Sequence, residues 1–172
     1  MIMSQSVKEW AAWLDLITRN DLNSVLEIGT GKGATTVSLS KNILGPLVSI
    51  DIAERHPNLD SISIPFHYIQ GESQSQEVIE KIKKISNKFD VIFVDGYHAY
   101  EAVKMDLETC LDLVNKEKGL IGFHDIAVTW RPWFGVHKLW EEIKHDYKHI
   151  EIMPEPPEVY YGIGVLMFGD VK

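Results

Sequence analysis

The stretch Glu27-Ile-Gly29-Thr-Gly31-Lys-Gly33 follows directly on an apolar run, Ser24-Val25-Leu26, and leads into Ala34-Thr35-Thr36-Val37-Ser38-Leu39, which reads as the start of a helix. Three glycines at alternate positions make a turn that a ligand can approach without meeting a Cβ. Strand, glycine turn and helix N-terminus in that order form the nucleotide-binding corner of α/β proteins. The corner alone leaves the choice of cofactor open.

The rest of the chain alternates in the same way. A serine cap, Ser6, with Glu9 three residues on predicts a helix start, and Val7, Trp10, Trp13, Leu14 and Ile17 recur at helical spacing. The tryptophans on that stripe are expected in the core. Strands are expected at Ser24–Ile28, Leu47–Ile50 (ending in Asp51), Ile64–Gln70, Val91–Val94 and Leu120–Phe123. The third belongs at an edge, because Pro65 cannot donate to a ladder. Helices are expected at Ala34–Ser40, Gln74–Ile85, Tyr100–Val114 and Gly135–Tyr147, with an aromatic loop Trp130–Phe134 before the last. Two closing strands, Ile150–Met153 and Gly162–Phe168, are joined by a proline-rich loop, Pro154-Glu-Pro156-Pro157. No helix separates them, so they should pair antiparallel at one edge of an otherwise parallel sheet.

With 172 residues, the chain suits a single domain, 1–172, with an N-terminal helix in 1–20. A net charge of −8 argues against a nucleic-acid or anionic-membrane partner, since both need a basic face. A single cysteine, Cys110, excludes an intramolecular disulfide and a cysteine-rich zinc site. With no basic n-region and apolar h-region at the N-terminus and no long apolar stretch, a cytoplasmic protein is expected. The expected partner is a small-molecule substrate, and a homodimer is allowed.

In open parallel sheets the ligand lies beyond the carboxyl ends of the strands. Those ends carry Glu27 to Gly33, Asp51, Gly71-Glu72-Ser73-Gln74, Asp95-Gly96-Tyr97-His98 and His124-Asp125. Asp51, 22 positions after Gly29, is placed to accept hydrogen bonds from two ribose hydroxyls. Asp95, His124 and Asp125 can share one cation; two carboxylates suit Mg²⁺ or Mn²⁺, and a histidine ligand shifts the preference toward Mn²⁺, Fe²⁺, Co²⁺ or Zn²⁺. His98, three residues after Asp95, is suited to taking a proton from a hydroxyl near neutral pH.

The turn also aligns as Gly29-x-Gly31-x-x-Ala34, a permissible dinucleotide fingerprint, which keeps an NAD-dependent oxidoreductase in view. A non-catalytic cofactor-binding subunit is a further alternative. Glu27 speaks against a dinucleotide, because the residue two before the first glycine is ordinarily apolar there. A methionine-derived cofactor gives that carboxylate an ammonium to balance.

The chain resembles the class I S-adenosylmethionine-dependent methyltransferases in Val25-Leu-Glu27-Ile-Gly29-Thr-Gly31-Lys-Gly33 and in Asp51. The segments Phe89 to Glu108, Gly119-Leu-Ile-Gly-Phe-His124-Asp125 and Gly135 to Ile143 are similar to small bacterial O-methyltransferases, a group that includes macrolide-sugar O-methyltransferases and cephalosporin-hydroxylase-like proteins. The resemblance implies a Rossmann-like α/β fold, a seven-stranded sheet in order 3-2-1-4-5-7-6 with strand 7 antiparallel and helices on both faces. It implies S-adenosylmethionine as cofactor, with the methionine end near Glu27, Gly29, Gly31 and Gly33 and the ribose on Asp51. Gly71 to Gln74 is similar to the adenine-contacting turn of catechol-type enzymes, so Ser73 and Gln74 would border the base. Asp95, His124 and Asp125 would hold a divalent cation, and His98 takes the place of the base in metal-assisted O-methylation of a small-molecule hydroxyl. His124 departs from the carboxylate or amide those relatives often carry. No substrate-covering domain is expected, so the first helix and the active-site loop 126–135 are the segments expected to cover the site.

Overall fold

The computed structural model describes residues 6–154 and 161–172. Helix α1 spans Val7–Arg19 and opens on the expected capping box of Ser6 and Glu9. Then follow β1 (Val25–Ile28), α2 (Ala34–Ser40), β2 (Leu47–Asp51), a 3-10 turn (Pro57–Ser61), β3 (Phe66–Gln70), α3 (Gln76–Ile85) and β4 (Val91–Val94). The chain continues through α4 (Tyr100–Leu113), β5 (Lys118–His124), α5 (Val136–Ile143), a short 3-10 turn, β6 (Lys148–Ile152) and β7 (Ile163–Gly169). Among the described residues no helix is long and apolar enough to cross a membrane.

The strands form one sheet in the order β3-β2-β1-β4-β5-β7-β6, with β7 antiparallel to both of its neighbours and the other pairings parallel. This is the order expected from the family resemblance, including the edge position of the strand after Pro65. Pro156 and Pro157 of the expected loop lie outside the described residues.

Alternate residues of each strand face opposite sides, so the sheet buries two apolar layers. Leu26, Ile28, Ile92, Val94, Ile121 and Phe123 meet α3, α4 and α5 through Val78, Ile82, Val103, Leu107, Leu139 and Trp140. Val25, Leu47, Val91, Phe93 and Leu120 meet α1 and α2 through Trp10, Trp13, Ile17 and Leu39. Both tryptophans of α1 are buried, as the stripe predicts. Gly122 makes room for one of them, because a Cβ there would sit 2.8 Å from the Trp13 ring. Glu9 ties the N-terminal end of the helix to the loop before β7, accepting hydrogen bonds from Ser6 N at 3.2 Å and Gly162 N at 2.6 Å.

Several boundaries differ from those the sequence predicts, among them the start of β3 at Phe66 and of β5 at Lys118. Helix α3 begins at Gln76 with Ser75 as its cap, so Ser73 and Gln74 belong to the turn before it. The last helix ends at Ile143 and gives way to the 3-10 turn at Lys144–Asp146. Strand β6 starts at Lys148, ahead of Ile150.

Candidate active site

The chain runs from β1 outward to β2 and β3 on one side and to β4 and β5 on the other. A crevice therefore opens beyond the carboxyl ends of β1, β2 and β4, where the winding reverses. The glycine turn lies there. Gly29, Gly31 and Gly33 have φ of 97°, 51° and 79°, in the left-handed region that side chains with a Cβ avoid. Gly29 is also the point of closest approach between β1 and β4: a Cβ would sit 2.1 Å from the backbone oxygen of Asp95. Gly33 is the N-cap of α2, held by Gly33 N donating to Thr30 O at 2.9 Å.

Asp51 ends β2 and grips the turn. Its Oδ2 accepts from Gly31 N at 2.7 Å and its Oδ1 from Ala53 N at 2.9 Å. Each oxygen keeps lone-pair capacity for another donor. Asp51, Gly29, Gly31, Ser73, Gln74, Asp95 and His98 line one cleft of about 660 Å³. That volume lies within the roughly 300–1,000 Å³ of small-molecule pockets.

Glu27 and Gly33 are not among the residues that line the cleft. Glu27 is fully buried behind the turn, where its Oε2 accepts from Thr36 Oγ1 at 2.5 Å and Ser49 Oγ at 2.6 Å. Its Oε1 has no hydrogen-bond partner among the described residues. Burial disfavours the ionised form more than these hydroxyls support it, and the pKa rises to about 7. Folding therefore favours the protonated acid, so this contribution to stability is full below the unfolded pKa near 4.5 and is lost as pH rises through 7. A shift of this size is worth about 3 kcal/mol. Chemical denaturation at pH 5 and pH 8 should show the ligand-free protein weaker at pH 8. Glu27→Gln should reduce that difference to the part that His98 and His124 contribute through their own raised values; an unchanged difference would mean that Glu27 ionises freely.

The second constellation joins the ends of β4 and β5. Asp95, His98 and Asp125 each bring a donor atom within 4.8 Å of the others. His98 Nε2 lies 2.9 Å from Asp125 Oδ2 and 3.4 Å from Asp95 Oδ1, within ion-pair range but off the line of a well-formed hydrogen bond. His124 Nδ1 lies 3.2 Å from Asp95 Oδ1 and 3.4 Å from Asp125 Oδ2. His98 thus brings its nitrogen to the same two carboxylates as His124. His124 is the deeper, 2% exposed and stacked on Tyr161. Asp125 adopts a φ of 68°, a left-handed conformation uncommon for a residue with a side chain.

Burial opposes charge on both imidazoles, but the carboxylates outweigh it. Asp125 and Asp95 raise His98 to about 9, and the same pair raises His124 to about 10. Burial pushes Asp95 and Asp125 the other way, yet the histidines hold both carboxyls below their ordinary value. Two protonated imidazoles balance two carboxylates, the compensation one divalent cation would give. Two carboxylates suit Mg²⁺ or Mn²⁺, and an imidazole nitrogen joining them would shift the fit toward Mn²⁺, Fe²⁺, Co²⁺ or Zn²⁺.

Two features of this region escape a sequence reading. Phe134 stacks on His98, with ring centroids 4.4 Å apart at 13°, and Arg131 lies over Phe134 at 5.1 Å. Gly135 N donates to His98 O at 2.7 Å, so the 126–135 loop is clamped onto the His98 segment. On the other side of the cleft, Asp106 of α4 accepts from Ser73 Oγ at 2.6 Å and Gln74 Nε2 at 2.9 Å. Nothing about an aspartate in mid-helix marks it for this task. Trp130 and Trp133 of the aromatic loop are about half exposed.

Comparisons with known proteins agree with this architecture. The O-methyltransferase from Bacillus cereus in complex with SAH superposes with a TM-score of 0.76 at 17% identity, over 95% of this chain and 82% of that one. MycE, a methyltransferase of the mycinamycin biosynthetic pathway in complex with Mg and SAH, superposes with a TM-score of 0.63 at 17% identity, over 92% of this chain and 49% of that one. Uncharacterized protein R132 of Acanthamoeba polyphaga mimivirus is 29% identical over 126 residues, 66% of this chain, and the chain spans only 56% of that relative's length. A family model described as a methyltransferase domain matches residues 26–126, from the first strand through the Asp125 corner, and the chain belongs to that family.

Proposed function

We propose that this methyltransferase-family domain transfers a methyl group from S-adenosylmethionine to a hydroxyl oxygen of a small molecule, assisted by a divalent cation. The observation that carries the reading is that Asp95 and His98, which cluster with Asp125, line the same cleft as Gly29, Gly31 and Asp51. Neighbours of the same fold complexed with SAH, one of them also with Mg, support it.

In this reading the methionine end lies on Gly29 and Gly31, with Gly33 opening the helix behind them. Glu27, buried behind the turn with its Oε1 uncommitted, would supply the negative charge that balances the cofactor's ammonium. The ribose hydroxyls donate to Asp51, and the base borders Ser73 and Gln74. Asp95 and Asp125, with His124 beside them, hold the cation. When bound, the cation supplies positive charge that lowers the pKa of the acceptor hydroxyl and loosens the hold of His98 on its own proton.

His98 then accepts the hydroxyl proton. As it leaves, the acceptor oxygen forms a bond to the methyl carbon and the carbon–sulfur bond breaks, discharging the sulfonium. Phe134 and the Gly135 hydrogen bond keep the imidazole facing the carboxylates. Much of the rate gain comes from this positioning of acceptor against methyl donor.

Calorimetry tests the two halves separately. S-adenosylhomocysteine should bind and Asp51→Ala should weaken it by about tenfold or more, as expected for losing hydrogen bonds to a charged group. Mn²⁺ should bind the wild type and not Asp125→Ala, and chelation should stop methyl transfer. Binding of NADH in place of S-adenosylhomocysteine would favour an oxidoreductase. Cofactor binding with no turnover, unaffected by chelators, would make the domain a non-catalytic subunit.

A further inference from the structure

Asp106 faces the interior from the middle of α4 and is 1% exposed. A buried acid is costly unless something requires it, and its hydrogen-bonding partners, Ser73 and Gln74, are neutral. A serine or an amide at this position would also satisfy them. Among side chains, an ionised carboxylate accepts without ever donating; burial raises the Asp106 carboxyl above its ordinary value, and the hydrogen bonds from Ser73 and Gln74 support its ionised form.

That one property dictates the state of both partners. Ser73 must give its single hydroxyl proton to Asp106. Gln74 must turn its amide nitrogen inward, where one N–H goes to Asp106 and the other to Ala102 O at 3.4 Å. What remains uncommitted on the two side chains is lone pairs, on Ser73 Oγ and Gln74 Oε1. Both residues line the cleft.

We propose that Asp106 is a positioning residue that makes the base subsite a hydrogen-bond acceptor, so that the cleft takes a nucleobase carrying an exocyclic amino group and rejects one with a carbonyl in its place. The inference rests on the cleft being the S-adenosylmethionine site, and it adds what selects the base. Aspartate acts here through Ser73 and Gln74 and touches no ligand itself.

The test compares S-adenosylhomocysteine with S-inosylhomocysteine, in which a carbonyl replaces the amino group, by calorimetry on the wild type, Asp106→Asn and Gln74→Leu. A carbonyl facing unpaired acceptors should cost the wild type about 30-fold or more in affinity. An asparagine can donate, which frees Gln74 to present its own N–H groups to the cleft. In Asp106→Asn the preference should therefore fall by about tenfold, with inosyl binding rising in absolute terms. Gln74→Leu, at a half-buried turn position, should lower the preference similarly without disturbing the core.

If Asp106→Asn weakens both ligands equally, its role is packing and the proposal is overturned. The proposal also fails if the wild type binds both ligands alike, or if Gln74→Leu keeps the full preference; that last result decides even where Asp106→Asn does not fold. A wild type that binds neither ligand refutes the cofactor reading instead.

Discussion

Gly29→Ala is expected to destabilise the protein by about 4 kcal/mol, combining backbone strain with overpacking, and to abolish S-adenosylhomocysteine binding. A Cβ at this position lies 2.1 Å from Asp95 O, 2.5 Å from Asp95 C and 2.8 Å from Gly96 N. All three are backbone atoms of the neighbouring strand end, so no side-chain rotation relieves the clash. The strands cannot simply part either, because Asp95 N donates to Ile28 O at 2.8 Å immediately beside it. The φ of 97° adds a penalty independent of space. Thermal unfolding should show a midpoint lower by roughly 10 °C for a domain of this size. Any movement that admits the methyl also carries Asp95 away from His98 and Asp125, so the damage reaches both halves of the site. An alanine variant with wild-type melting and binding would mean that the turn and β4 are not in contact.

His98→Ala is expected to lower methyl transfer by about a hundred- to ten-thousandfold, the usual contribution of a positioned acid or base. S-adenosylhomocysteine binding should stay near the wild-type level, because Asp51, the glycine turn and the Ser73–Gln74 turn are untouched. Radiolabelled methyl transfer to a panel of phenolic and sugar hydroxyls, run beside calorimetry, separates the two effects. The imidazole lies within 3.4 Å of both carboxylates and under the Phe134 ring, a setting that fixes its orientation. Full turnover without it would remove His98 from the chemistry and leave His124 and the carboxylates as the remaining candidates for the proton.

Much of the fold is legible because its signals are local. The glycine turn, the serine cap of α1 and the short apolar strands each depend on neighbours a few residues away, and all appear where the sequence puts them. Helix α3 shows where local reasoning stops. Residues 74 and 75 read as helix, yet Gln74 is held in the turn by Asp106, 32 positions further on, and Ser75 becomes the cap. The apolar stripe of the segment is the same in either register, so periodicity does not choose between them.

The site divides in the same way. That Asp51, Asp95, His98, His124 and Asp125 share one rim follows from their places at strand ends in a parallel sheet. Which nitrogen faces which oxygen does not follow. His98 reaches both carboxylates because the 126–135 loop folds back on it through Phe134 and Gly135, a contact made across more than thirty residues. Asp125 turns its carboxylate toward the histidines through a left-handed backbone that no residue type at 125 announces.

By itself the sequence determined the order of strands and helices, the glycine corner and the chemical types gathered around it. These depend on periodicity, turn residues and the handedness of parallel connections, which operate over short stretches of chain. Only the tertiary structure decided that Glu27 lies behind the turn with an unmatched oxygen, that two histidines share two carboxylates, and that Asp106 commits the protons of Ser73 and Gln74. Burial and hydrogen-bond partnership are relations between distant segments, and they exist only once the sheet has brought those segments together.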